Sequence, residues 1–314
     1  MKRAVIFSLT FISLVLLVTA TLAISATGEK PTVVTTTTIL GSIVKDLAGN
    51  SVEVMIIASP AVCPAHYDIK PSDVYAFSKA DLILYHGFEP WIDSLVESSG
   101  TKAPLVKVSG SWNTPEGVEN YYTKVANILK EKLGLDVSEK LSNVLAELNE
   151  TKLILKNKAE AVGASNVKVI VMKWQKPYVS WLGFNVVADF GPPEKLSSAD
   201  VENLIEKGKT EGVMLVISNL QSGTIFGESL ASEIGAVHVV LTNFPETEPD
   251  LKTLTDVLEK NGETLFKAVE LYEAKLAAIK ATSELEFYKI LSYSLIVVAV
   301  VEAAIIGYAV RRRS

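Results

Sequence analysis

The hydrophobic pattern divides the chain into three regimes. Ala4 to Ile24 and Ile290 to Val310 run almost wholly apolar, while between them short β-branched runs alternate with stretches of helical spacing. Val33 to Thr38 reads as a strand, after which Ile39, Ile43 and Leu47 recur at helical intervals up to the turn at Gly49 and Asn50. Val52 to Ala58 predicts a second strand, Ser72 to Ala80 a helix capped by Ser72, Leu82 to Tyr85 a buried third strand and Val106 to Val108 a fourth. Strands that alternate with helices in this way predict a parallel sheet covered by helices.

The alternation then pauses. Helical spacing runs from Pro115 to Leu133 and again from Ser138 to Val162, where Leu141, Val144, Leu145, Leu148, Leu155 and Ala159 form one stripe. A helix of about 25 residues spans nearly 40 Å, enough to run along two lobes and join them. Strand patterns resume at Val167 to Met172, Val186 to Ala188, Val213 to Ser218 and Val237 to Leu241, with helices at Ala199 to Lys209 and Thr224 to Ile234 and a last helical stretch from Leu251 to Ile279. The expected architecture is α/β: two (βα)-type lobes with parallel sheets, at 31–133 and 165–280, joined by one long rigid helix at 138–163.

The two apolar ends add a cellular address. Met1, Lys2 and Arg3 precede the first apolar run and Ser25, Ala26 and Thr27 follow it, so 1–26 reads as a signal peptide. The second run, 290–310, spans roughly 30 Å as a helix and is followed by Arg311, Arg312 and Arg313. The arginines are expected to stay cytoplasmic, which makes the chain a single-pass membrane protein with an extracytoplasmic body. Glu302 lies inside that span, either facing a partner helix or protonated.

Charge and cysteine content narrow the function. A net charge of −6 without a basic patch argues against nucleic acid as a partner. The single cysteine, Cys63, cannot form an internal disulfide and is expected as a small buried apolar residue. No nucleophile elbow, Walker loop, zinc-protease motif or glycine-rich dinucleotide loop occurs, so the chain is not expected to be an enzyme.

Val33 to Thr36, Ile39, Ile43, Ala48, Gly49, Val52, Val54, then Pro64, Ala65, His66, Tyr67, then Pro71, Ser72, Asp73, and finally Ala80 to Ile83 and Gly87 stand in an order and spacing that resembles the cluster A-I metal-binding proteins. These are zinc and manganese binding subunits of ATP-binding-cassette importers. The resemblance implies metal in the cleft between the lobes as transported solute, with a membrane permease and a cytoplasmic ATPase as partners. It maps the family's first ligand histidine onto His66. The other three ligand positions fall on Gly110, on Trp174 or Gln175, and on Asn243, none of which is a histidine or carboxylate.

Open α/β sheets bind ligands at the carboxyl ends of their strands, and that rule supplies further candidates. His86 follows the strand Leu82 to Tyr85, and Glu89 lies in the same loop, so His66, His86 and Glu89 are the expected metal ligands, the two histidines coming from neighbouring strand ends. His238, inside an apolar strand, is expected in the core. Trp174, Gln175, Asn219, Gln221 and Asn243 stand at strand ends of the second lobe and offer amides beside an aromatic wall. Amides bind metal weakly and suit a chelated metal or a small polar solute, which is the alternative cargo; a surface adhesion protein is the alternative class.

Overall fold

The computed structural model describes residues 29–313, so the signal-peptide reading of 1–26 lies outside the described residues. The chain forms two four-stranded, all-parallel sheets. The first contains β1 (Thr32–Thr35), β2 (Glu53–Ile56), β3 (Leu82–Tyr85) and β4 (Leu105–Lys107) in the order β2-β1-β3-β4. The second contains β5 (Lys168–Met172), β6 (Asn185–Phe190), β7 (Leu215–Asn219) and β8 (Val237–Leu241) in the order β6-β5-β7-β8.

The nine described α-helices are α1 (Thr38–Ala48), α2 (Pro71–Lys79), α3 (Ile92–Ser99), α4 (Pro115–Leu133), α5 (Ser138–Ala161), α6 (Lys176–Leu182), α7 (Ser198–Glu211), α8 (Ile225–Ile234) and α9 (Leu254–Arg313). The side-chain alternation of the strands divides the sheets' two faces. Val33, Leu82, Leu84, Val169, Val171, Leu215 and Ile217 join one continuous core with α1, α4, α5, α6 and the start of α9. The opposite faces, through Val34 and Ile83 in one sheet and Ile170 and Val216 in the other, are closed separately by α2 with α3 and by α7 with α8.

The long helix α5 belongs to that shared core. It packs on α1 and α4 from the first unit and on α9 from the second, burying Val144, Leu148, Thr151, Leu155 and Ala159. Removing a buried leucine such as Leu148 or Leu155 would cost about 2–5 kcal/mol and loosen both units at once.

Several boundaries differ from the sequence expectation, each for a local reason. β1 stops at Thr35 because Thr37 becomes the N-cap of α1, its hydroxyl accepting from the Leu40 N–H at 3.5 Å. α2 begins at Pro71, which has no N–H to leave unpaired, so Ser72 lies inside the helix rather than capping it. The carboxylate of Asp73 serves the helix start instead, accepting from the Lys70 N–H at 2.7 Å. The two separate segments expected at 251–279 and 290–310 are one continuous helix, α9, since 280–289 holds neither glycine nor proline. Among the described residues it is the one helix long and apolar enough to cross a membrane.

Candidate functional site

The carboxyl ends of both sheets meet at one junction. From the first unit, the threonine run after β1 organises the loop after β3. Thr36 donates its hydroxyl to Glu89 Oε1 at 2.6 Å, and Thr37 Oγ1 lies 2.8 Å from His86 Nε2. Glu89 also accepts backbone N–H groups from His86 at 2.8 Å, Gly87 at 2.7 Å and Phe88 at 3.0 Å. Gly87 reaches that position with φ of 96°, a conformation side chains oppose.

The protonation of His86 follows from its neighbours. Tyr121 has one hydroxyl proton, and it points to the carbonyls of Val108 at 3.1 Å and Gly110 at 3.3 Å. His86 Nδ1, 3.1 Å from the same hydroxyl, must therefore donate to it, and Nε2 accepts from Thr37. Burial pushes the ring down to about 4, against the opposing pull of the Glu89 charge. Burial acts to raise Glu89, but the Thr36 hydroxyl and the His86 N–H outweigh it and hold the carboxyl below its ordinary range. At neutral pH this is a neutral imidazole beside a carboxylate, both fully partnered.

His66 is not part of that unit. It ends the short turn Pro64–His66 after β2, is exposed, and its ring makes no hydrogen bond to the described residues. The expectation of neighbouring strand ends is corrected by the sheet order: β1 lies between β2 and β3, so the strands that lead into the two loops are about 10 Å apart. Among the described residues no three His, Cys, Asp or Glu side chains are grouped to hold a metal ion.

From the second unit, Asn219 and Gln221 form a closed amide network. Gln221 Oε1 accepts from Asn219 Nδ2 and from the Asn243 N–H, each at 3.2 Å, while its Nε2 donates to Thr242 Oγ1 at 2.9 Å. Gln175, at the end of β5, is different. It is 0% exposed, and neither its Oε1 nor its Nε2 has a partner. Asn243 Oδ1, beyond β8, and Thr38 Oγ1, beyond β1, are also buried and unpartnered. Trp174, next to Gln175 in sequence, is half-exposed.

The two units are latched across the junction. Trp112 donates its indole N–H to the Asn243 carbonyl at 3.1 Å and stacks on Phe244 with centroids 6.4 Å apart. It also lies 4.8 Å from the His86 ring, which stacks on Phe88. Gln221 Nε2 donates to the Pro60 carbonyl at 3.0 Å, Asn113 donates to the Trp174 carbonyl, and Lys45 pairs with Glu246 at 2.6 Å. Sequence reasoning did not single out Trp112, Phe244 or Thr38 as binding residues, since only the meeting of the two units gives them a role.

The remaining candidates are structural. His238 is half-buried in β8, its Nε2 2.9 Å from Ser218 Oγ; burial lowers its pKa against the opposing charge of Glu228. Cys63 is half-buried rather than fully enclosed.

Two parallel α/β sheets whose strand ends face one another across a latched junction define the fold of a two-lobed binding protein. The family described as ZnuA, the periplasmic component A of a zinc-uptake complex, matches residues 33–268, and the chain belongs to it. It is a family of substrate-binding transport subunits for zinc or manganese, not of enzymes. Among curated relatives, the manganese ABC transporter substrate-binding lipoprotein PsaA of Streptococcus mitis is 32% identical over 109 residues, 33% of this chain and 34% of that protein. The metal ABC transporter substrate-binding lipoprotein FimA of Streptococcus parasanguinis is 33% identical over 109 residues, with the same shares. The chain thus spans about a third of the length of the curated relatives it matches.

Solved structures share the fold over most of the body. The periplasmic zinc-binding protein TroA of Treponema pallidum superposes with a TM-score of 0.66 at 17% identity, covering 77% of this chain and 99% of that one. A manganese-bound periplasmic metal-binding protein from Candidatus Liberibacter asiaticus gives 0.65 at 16% identity, covering 76% and 100%.

Proposed function

We infer that this chain is the extracytoplasmic solute-binding subunit of an ATP-binding-cassette importer and that it carries a transition metal of the zinc or manganese class in the cleft between its two lobes. One observation carries the reading: Thr38 Oγ1, Gln175 Oε1 and Nε2, and Asn243 Oδ1 are the buried side-chain polar atoms without partners among the described residues, and all belong to residues following the carboxyl ends of strands. Buried polar groups left unpaired cost about 1–3 kcal/mol each, and a guest that meets them recovers that loss. His66 is the free imidazole at the rim, while His86 and Glu89 stand behind the cleft wall and shape it.

The anchor in this reading is the distal part of α9. The relatives are lipoproteins, whereas the only cysteine here, Cys63, lies within the body. The apolar run 290–310 takes over the tether, with the body outside and Arg311 to Arg313 at the cytoplasmic face. A membrane permease and a cytoplasmic ATPase complete the importer.

Calorimetric titration of the metal-stripped chain with zinc and manganese tests the assignment of the cargo. The expected result is 1:1 binding of one of them that weakens at least tenfold in His66→Ala. Equal binding in wild type and variant would remove His66 from the site.

A further inference from the structure

Helix α9 packs on the body through Leu258, Leu265 and Val269, and from Leu271 to Lys289 every residue except Tyr272 is exposed. Within that exposed stretch Leu271, Ala274, Ala278, Ala281, Leu285 and Tyr288 recur at spacings of three and four, the a and d positions of three successive heptads. Leu271, Leu285 and Tyr288 are 59%, 55% and 62% exposed, so the stripe has no cover among the described residues. At about 100° per residue it runs along the side of the helix nearly opposite Leu258, Leu265 and Val269. A partner helix can therefore lie along it with the body out of the way.

The flanking charges select the partner. In a parallel pair of helices, position g of one chain faces position e of the next heptad in the other. In this register Glu270 meets Lys275 and Glu284 meets Lys289, opposite charges in both cases, with the neutral Ala277 and Thr282 between them. Glu270 and Glu284 have no partner of their own among the described residues. Lys275 reaches the Gly235 carbonyl at 3.0 Å and Lys289 pairs with Glu286 at 2.9 Å, both as exposed side chains that can exchange partners. The other apolar stripe of this stretch, Tyr272, Leu276 and Ile279, continues the body-facing side and gives way to Ser283 and Glu286. Pairing along it would set Lys275 against Lys280, like against like.

We propose that the chain forms a parallel homodimer in the membrane, zipped through the Leu271–Tyr288 stripe of α9 with the two bodies on the outside. The pairing rests on the membrane-anchored reading above: two copies that enter one bilayer the same way round can pair only in parallel, and confinement to a surface raises their effective concentration. Alanine at three of the six seam positions lets the helix axes approach closely. The helix continues unbroken into the apolar run, where the same seven-residue count puts Glu302 at d, and a left-handed supercoil keeps that seam facing the partner. Glu302 of each copy then meets its counterpart instead of lipid.

Disulfide trapping of the purified full chain in lipid vesicles tests the pairing. In a Cys63→Ser background, Ala281→Cys places a thiol on the seam and Ile279→Cys places one on the body-facing side. With copper phenanthroline as oxidant, Ala281→Cys should form covalent dimers at least tenfold faster than Ile279→Cys. Adding Glu284→Lys should slow the Ala281→Cys reaction, and adding Lys289→Glu as well should restore it. These positions are exposed and lie beyond the body's core, so the substitutions leave its fold alone. Equal rates at the two positions, or no dimer at Ala281→Cys because the stripe serves a permease absent from the vesicles, would overturn the homodimer and leave the anchor intact. A chain that does not float with the vesicles would overturn both.

Discussion

Thr37 donates its hydroxyl proton to His86 Nε2 across 2.8 Å and caps helix α1 with the same oxygen. The contact ties the end of β1 to the loop after β3 and keeps a buried imidazole neutral. Its pH dependence has a definite sign. His86 titrates near 4 in the folded chain and near 6.5 when exposed, so the unfolded chain binds the additional proton between those values. Stability should be fully present above pH 6.5 and fall by about 3 kcal/mol as pH drops through 4, with Glu89 adding loss in the same direction below its ordinary range. Urea midpoints at pH 7 and pH 4.5 measure it. His86→Gln should flatten the profile in that window; parallel profiles would show that His86 is not the titrating group.

Trp112 holds the lobes together by an indole hydrogen bond to Asn243 and a stack on Phe244. Losing both should destabilise the closed form by about 2 kcal/mol, roughly thirtyfold in cargo affinity. Trp112→Ala should also raise the radius of gyration in small-angle scattering. An unchanged radius together with unchanged affinity would deny the latch its role.

The continuous helix α9 sets a distance. Val269 is its last core residue, at 1% exposure, and the apolar run begins at Ile290; in the anchoring proposed above, about 20 residues of exposed helix would separate body from bilayer by roughly 30 Å. Neutron reflectometry on the chain in a supported bilayer should find a thin, solvent-rich layer of that depth. Ser283→Pro should shorten or tilt it. A wild-type body lying flush on the lipid would contradict a rigid standoff.

The strands were legible because Val, Ile and Leu runs such as Leu82–Tyr85 and Val237–Leu241 are short, apolar and bounded by turns. Two short helices, Ile92–Ser99 and Lys176–Leu182, were not read, since seven or eight residues give barely two turns of periodicity. Strand order was equally hidden: nothing local to His66 or His86 reveals that β1 runs between their strands. Gln175 and Asn243 could be named from their places after strands, but so could Asn219 and Gln221. Which amides satisfy one another and which stay open depends on contacts such as Asn219 Nδ2 to Gln221 Oε1, which only tertiary packing creates.

Metal content after expression tests the central claim most directly. The full chain, recovered from cells grown with ample zinc and manganese and measured by inductively coupled plasma mass spectrometry, should carry about one equivalent of one of the two metals. The Gln175→Leu, Asn243→Leu double variant should carry almost none. Wild-type chain recovered without either metal, or a double variant as fully loaded as wild type, would contradict a metal cargo held at these strand ends.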